Sequence, residues 1–117
     1  MTRVVWLRRV GDARMRLCAE GHAGAGAYGE DIVCAAVSTA MEMLESNLLV
    51  FGCRRGGRKG PGLFAVDGEG YTAYKLMDAT ASFLRALAYQ YPENLSFTEK
   101  IWEKGDTWGE NDIEAGL

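Results

Sequence analysis

Apolar and polar residues alternate along two short stretches near the start of the chain, and apolar residues recur every three to four positions along two longer ones. Val4–Val10 reads as a first strand, with Gly11–Asp12 as the turn that follows it. Met15, Leu17 and Ala19 then alternate with Arg14, Arg16 and Cys18, the period-two pattern of a half-exposed second strand, and the spacing suits a hairpin. From Asp31, a good N-cap residue, to about Leu49, the positions Val33, Val37, Ala40, Met41, Leu44 and Leu48 recur at helical spacing and are expected to face a sheet. A second amphipathic helix is predicted from about Thr72 to Tyr89. Its inner face would carry Ala73, Leu76, Met77, Thr80, Phe83, Leu84, Leu87 and Ala88, and Tyr91–Pro92 would end it.

Between the two helical patterns, Gly52–Gly62 reads as a glycine-rich basic connection containing Arg54, Arg55, Arg58 and Lys59. Leu63–Val66 is a short strand closing on an Asp67–Gly68 turn, with residues around Val50–Arg54 as a candidate partner strand. Leu95–Trp102 is a candidate edge strand. No repeat or linker interrupts the pattern. The expected fold is α+β in two layers, a small, mostly antiparallel sheet packed against two helices. One domain would span 1–104, and the polar, acidic tail 105–117 is expected to be disordered.

Composition narrows the classes. At 117 residues, 48% hydrophobic and 25% charged, the chain has room for one core and not for a nucleotide domain plus a substrate domain. A net charge of -3 leaves no general basic footprint for nucleic acid or membrane surfaces. Arg3, Arg8 and Arg9 interrupt the only early apolar stretch, so no signal peptide is expected. The most apolar long segment, Ile32–Phe51, carries Glu42, Glu45 and Asn47 and reads as a core helix rather than a membrane span. Three cysteines, Cys18, Cys34 and Cys53, make an odd count that suits reduced thiols in the cytoplasm.

The chemistry concentrates between Gly21 and Ser38. His22, the only histidine, ends the second strand pattern, and Cys34, twelve residues on, is expected in the first turn of the first helix. Four glycines, Gly21, Gly24, Gly26 and Gly29, lie around and between them and should make a flexible loop. Asp31, Cys34 and Ser38 share one stripe of the helix, beside its packing face. Gly24–Gly29 is a literal G-x-G-x-x-G, but Glu30 and Asp31 would repel a pyrophosphate at the helix entrance, and no second strand supplies the ribose-binding acid. A zinc site from the three cysteines and His22 lacks any Cys-x-x-Cys pair, so neither metal nor cofactor is expected. A redox sensor would need Cys18 or Cys53 as a resolving thiol beside Cys34. On spacing alone, a buried, inert Cys34 and a hydrogen-bonded surface His22 are the better reading.

The full string Gly-His-Ala-Gly followed by Gly-x-Asp-Ile-Val-Cys-Ala-Ala-Val-Ser shifts that balance. It resembles the signature of the ribosomal-processing cysteine protease (Prp) family. The order of elements is also similar, over about residues 1–100. The resemblance implies a cytoplasmic, homodimeric cysteine endopeptidase that removes the N-terminal extension of large-subunit ribosomal protein L twenty-seven. It places His22 and Cys34 as the catalytic dyad and Gly21, Asp31 and Ser38 as supporting, substrate-proximal residues. The arginine- and glycine-rich 52–62 segment and the residues after about Lys100 depart from the pattern.

In that chemistry the thiolate is the nucleophile. An ordinary thiol, with a pKa near ~8.5, is mostly protonated at neutral pH. Unpaired amides at a helix start and a protonated imidazole would both favour the anion. Asp31 would either cap the helix or orient His22, and the Cys34 amide with one from the glycine loop would hold the oxyanion. Ser38 would hydrogen-bond the thiol or the peptide, or its own helix. The glycine loop, Gly24, Gly26 and Gly29, would close over an extended peptide. The partner is then a peptide, with no membrane and no direct nucleic-acid contact. The competing class is a non-catalytic ribosome- or RNA-associated module that uses Arg54, Arg55, Arg58 and Lys59.

Overall fold

The computed structural model describes residues 1–9, 13–21 and 28–102. The Gly11–Asp12 turn, the loop positions Gly24 and Gly26, His22, and the 105–117 tail lie outside the described residues. Seven elements follow in order: β1 (Thr2–Arg9), β2 (Arg14–Glu20), α1 (Tyr28–Val50), β3 (Arg54–Gly60), β4 (Leu63–Glu69), α2 (Tyr71–Gln90) and β5 (Leu95–Trp102). The strands form one sheet in the order β3-β4-β2-β1-β5. Its β1–β2, β2–β4 and β3–β4 pairs are antiparallel, and β1–β5 is parallel. The mostly antiparallel sheet with two helices is the α+β arrangement expected.

Both helices lie on one face. Val33, Val37, Met41, Leu44 and Leu48 of α1 and Ala73, Met77, Ala81 and Leu84 of α2 join Val4, Trp6, Leu17 and Val66 of the sheet in a single core. Ile32–Val50 is long and apolar enough to cross a membrane by length and composition. Val33, Val37, Met41, Leu44 and Leu48 of that segment are buried against the sheet, while Ile32, Met43, Leu49 and Val50 are exposed. Helix α1 ends where Gly52 adopts φ +69°, so that its amide reaches the Leu49 carbonyl and the Cys53 amide reaches that of Leu48. Those two bonds satisfy carbonyls that the helix end would leave bare.

Several sequence expectations change once neighbours are in place. Strand β2 is central, and its supposed outer face is buried: Arg16 and Cys18 are both inaccessible. Arg16 donates two hydrogen bonds to Asp67, Nε to Oδ1 at 2.5 Å and a terminal nitrogen to Oδ2 at 2.7 Å. Asp67–Gly68 is therefore not a turn. Strand β4 runs through it, because Asp67 is held by Arg16 and Gly68 lets α2 approach. A Cβ at Gly68 would lie 2.8 Å from Met77 Sδ and 2.9 Å from Ala73 Cβ.

The basic connection is likewise a strand, β3, paired to β4 from Arg54 to Gly60 with a register shift after Arg54. Nothing local in Arg-Arg-Gly-Gly-Arg-Lys-Gly favours extension, so the ladder with β4 supplies it. On α2 the inner face centres on Ala73, Met77, Ala81 and Leu84, and Phe83 is exposed rather than packed.

Candidate active site

The site forms where the start of β1, the end of β2 and the β3–β4 turn meet the first half of α1. Pro61 and Gly62 occupy the two-residue turn, and Gly62 has φ +70°. The Gly62 carbonyl accepts the Gly21 amide at 2.8 Å, which ties the end of β2 to that turn. Gly21 has φ +86°, and a Cβ there would come within 2.6 Å of the Met1 carbonyl oxygen. Only glycine satisfies both constraints.

Cys34 sits on α1 beside the packed Val33 and Val37 and is itself half-buried. Its sulfur lies 3.7 Å from the Thr2 hydroxyl oxygen, within hydrogen-bonding range for sulfur. Thr2 is almost fully buried at the start of β1, where its amide donates to the Asn94 carbonyl. Sequence reasoning missed Thr2. The only signal that could have found it is the pairing that carries β1 under the helix.

A pocket of about 200 Å³ opens beside the sulfur. Cys34, Ser38, Met41 and Glu42 of α1 line one side, and the hairpin residues Lys59, Gly60, Gly62, Leu63 and Phe64 line the other. Thr2, Ala19 and Gly21 contribute from the sheet. The Lys59 ammonium pairs with the Glu42 carboxylate and sits 4.7 Å from the centre of the Phe64 ring, linking the two walls.

The structure thus brings Gly21, Cys34 and Ser38 to one pocket. His22 lies outside the described residues, and so does the Asp31 side chain. Two expectations about the helix entrance are corrected. Helix α1 begins at Tyr28, so Asp31 lies within its first turn and is not the N-cap, and Gly29 belongs to the helix and not to the loop. Cys34 is the seventh helical residue, so its amide falls within the i→i−4 ladder. That amide is not available to an oxyanion, and the influence of the helix terminus on the sulfur is weakened by distance.

The three thiols are separated. Cys18 faces the opposite side of the sheet from the helices, and Cys53 follows the far end of α1. The sixteen helical steps from Cys34 to Val50 span roughly 24 Å, so neither can act as a resolving thiol without rebuilding the fold. Among the described residues, no three His, Cys, Asp or Glu side chains gather as a metal site requires. In the basic segment, Arg54 pairs with Glu45, Arg55 with Glu69 and Lys59 with Glu42. Much of its charge is therefore answered within the fold.

The sequence model of the family described as cysteine protease Prp matches residues 1–96. The chain belongs to the Prp cysteine protease family. No curated protein sequence matches it. Among solved structures, SMU.848 from Streptococcus mutans is similar at 29% identity with a TM-score of 0.66, over 89% of this chain and 96% of that one. The essential ribosomal processing protease Prp from S. aureus, with a substrate peptide, matches at 22% identity and a TM-score of 0.72. The same protease with a covalently linked product peptide matches at 23% and 0.69. Each of the latter two is covered along 100% of its own chain by 86% of this one. These likenesses show the Prp fold, and this chain carries residues beyond it.

Proposed function

We propose that this Prp-family protein is a cysteine endopeptidase that removes the N-terminal extension of a ribosomal protein, L twenty-seven of the large subunit, with Cys34 as nucleophile and His22 as general acid and base. One observation carries the reading: the half-buried Cys34 lines a pocket together with Gly21, the residue that directly precedes His22. The S. aureus relative named as a ribosomal processing protease supports the substrate class.

The Cys34 thiolate attacks the scissile carbonyl carbon. As the carbon–nitrogen bond breaks, His22 gives its proton to the leaving amine, and a thioester joins Cys34 to the N-terminal product. Water then adds with His22 as base, and the thioester opens to release the Cys34 thiolate beside the protonated His22. Because Cys34 lies past the first helical turn, a protonated His22 is the main cation that stabilises the thiolate. Thr2 is a further donor to it. The oxyanion is held by amides of the glycine loop, Gly24 and Gly26, and not by the Cys34 amide. Ser38, exposed one turn on, contacts the peptide, and Asp31 orients His22 from the first turn.

The enzyme acts as a cytoplasmic homodimer. A groove of about 660 Å³ on the outer side of α1 and α2, lined by Ala35, Ala36, Met43 and Phe83, supports the dimer, since Met43 and Phe83 are exposed. A peptide spanning the junction of the ribosomal protein extension, followed by mass spectrometry, tests the activity. Cys34→Ala and His22→Ala should each abolish cleavage and leave the thermal midpoint near wild type. Cleavage by Cys34→Ala would overturn the mechanism.

A further inference from the structure

The sheet ends at β3, and the free edge of that strand runs into the pocket beside Cys34. β4 pairs with β3 on one side, and no described strand lies on the other. Gly57, Arg58, Lys59 and Gly60 are all exposed. Lys59 and Gly60 line the pocket that holds Cys34, whereas among the described residues none from β5, the opposite edge, does so.

Two hydrogen bonds fix which way the backbone of this edge points. The Gly62 carbonyl turns to Gly21 at the end of β2, and the Glu69 amide turns to Cys53 just before β3. Successive residues of an antiparallel strand aim their N–H and C=O groups to opposite sides. Phe64 and Val66 therefore bond to β2, while Leu63 and Ala65 bond to Gly60 and Arg58 of β3. The residues opposite Phe64 and Val66 are Lys59 and Gly57. Their N–H and C=O groups point away from the sheet, two residues apart, at the spacing on which a further strand pairs.

The side chains leave this line of groups bare. Arg54 is drawn to Glu45 and Lys59 to Glu42, both on α1, and Arg55 is drawn to Glu69 at the end of β4. Gly57 has φ +139°, and a Cβ there would lie 2.4 Å from the Ala65 carbonyl oxygen, so no side chain can stand at that point. The register shift that would spoil pairing follows Arg54, at the end of β3 remote from the pocket.

We propose that the substrate peptide adds to this edge as a sixth strand, exchanging main-chain hydrogen bonds with Gly57 and Lys59 and so carrying its scissile bond to Cys34. The proposal rests on the endopeptidase reading and says how that site holds its substrate. Main-chain pairing grips an extended peptide whatever its side chains, and leaves selection to the pocket at the end of the edge. A second copy is a poor occupant, because pairing β3 with itself would set Arg55, Arg58 and Lys59 against the same cations.

Amide exchange followed by NMR reads the edge directly. In Cys34→Ala, which should bind without cutting, the Gly57 and Lys59 amides should exchange freely, while the Arg58 amide, bonded to β4, exchanges slowly. Saturation with the junction peptide of the ribosomal protein extension should slow Gly57 and Lys59 by about tenfold or more and leave Arg58 unchanged. With wild type, single N-methyl groups placed along that peptide should raise KM about tenfold at every second residue on one side of the scissile bond. Cleavage with Gly57 and Lys59 still unprotected, or N-methyl effects that do not alternate, overturns the edge and leaves the protease reading standing. A peptide neither bound nor cut overturns both. Protection in the free protein that fades on dilution assigns the edge to a second copy and likewise overturns the proposal.

Discussion

The hydroxyl of Thr2 stands 3.7 Å from the sulfur of Cys34, joining the first residue of the sheet to the helix above it. A thiolate has no proton to give, so the buried hydroxyl is the donor whenever the sulfur is ionised. Thr2→Val keeps the shape and removes that donor. It should lower kcat/KM for peptide cleavage about tenfold, in line with the roughly 1.5 kcal/mol of a hydrogen bond to a charged group. Thr2→Ser should retain most activity. Steady-state kinetics with both variants check this, and equal loss in both would assign Thr2 a packing role only.

Gly21 holds a conformation that a side chain cannot share. Gly21→Ala meets both the positive φ and the Met1 carbonyl, and should destabilise the fold by about 2–4 kcal/mol. Gly60, on the same pocket, has open space at its Cβ position. Gly60→Ala should unfold within about 1 kcal/mol of wild type. Urea unfolding of the two variants side by side separates the constrained glycine from the permissive one.

The Arg16–Asp67 pair is buried on both sides. Asp67→Asn or Arg16→Met alone breaks the buried pair and should cost about 3–5 kcal/mol. The double variant Arg16→Met/Asp67→Leu should recover most of that loss. A double-mutant cycle from denaturant midpoints measures the coupling, and simple additivity would show that the pair does not act as a unit.

Glu42 and Lys59 link the pocket walls, yet both are largely exposed. Breaking an exposed pair should move stability by no more than about 1 kcal/mol. Lys59→Met should instead raise KM for the peptide and leave kcat nearly unchanged, since the pair shapes the binding wall and touches no reacting atom. A fall in kcat with unchanged KM would contradict that assignment.

What the chain's own pattern determined is what depends on neighbours three or four residues away or on strict alternation. The inner stripe of α1, the span of α2 from near Thr72 to near Tyr89, β5 and the sharing of one helix edge by Cys34 and Ser38 all follow from periodicity. The string from Gly21 to Ser38 also carried the family resemblance, which the match over residues 1–96 establishes. The tertiary structure alone decided the features made by distant partners. β3 is extended because β4 pairs with it, Asp67 is buried because Arg16 reaches it, and Thr2 meets Cys34 across 32 positions of sequence. Cys18 is buried in the central strand β2, where the local pattern left it half-exposed. Local pattern measures a residue's preference for a surface; which surface arrives is settled by chain segments far away in sequence.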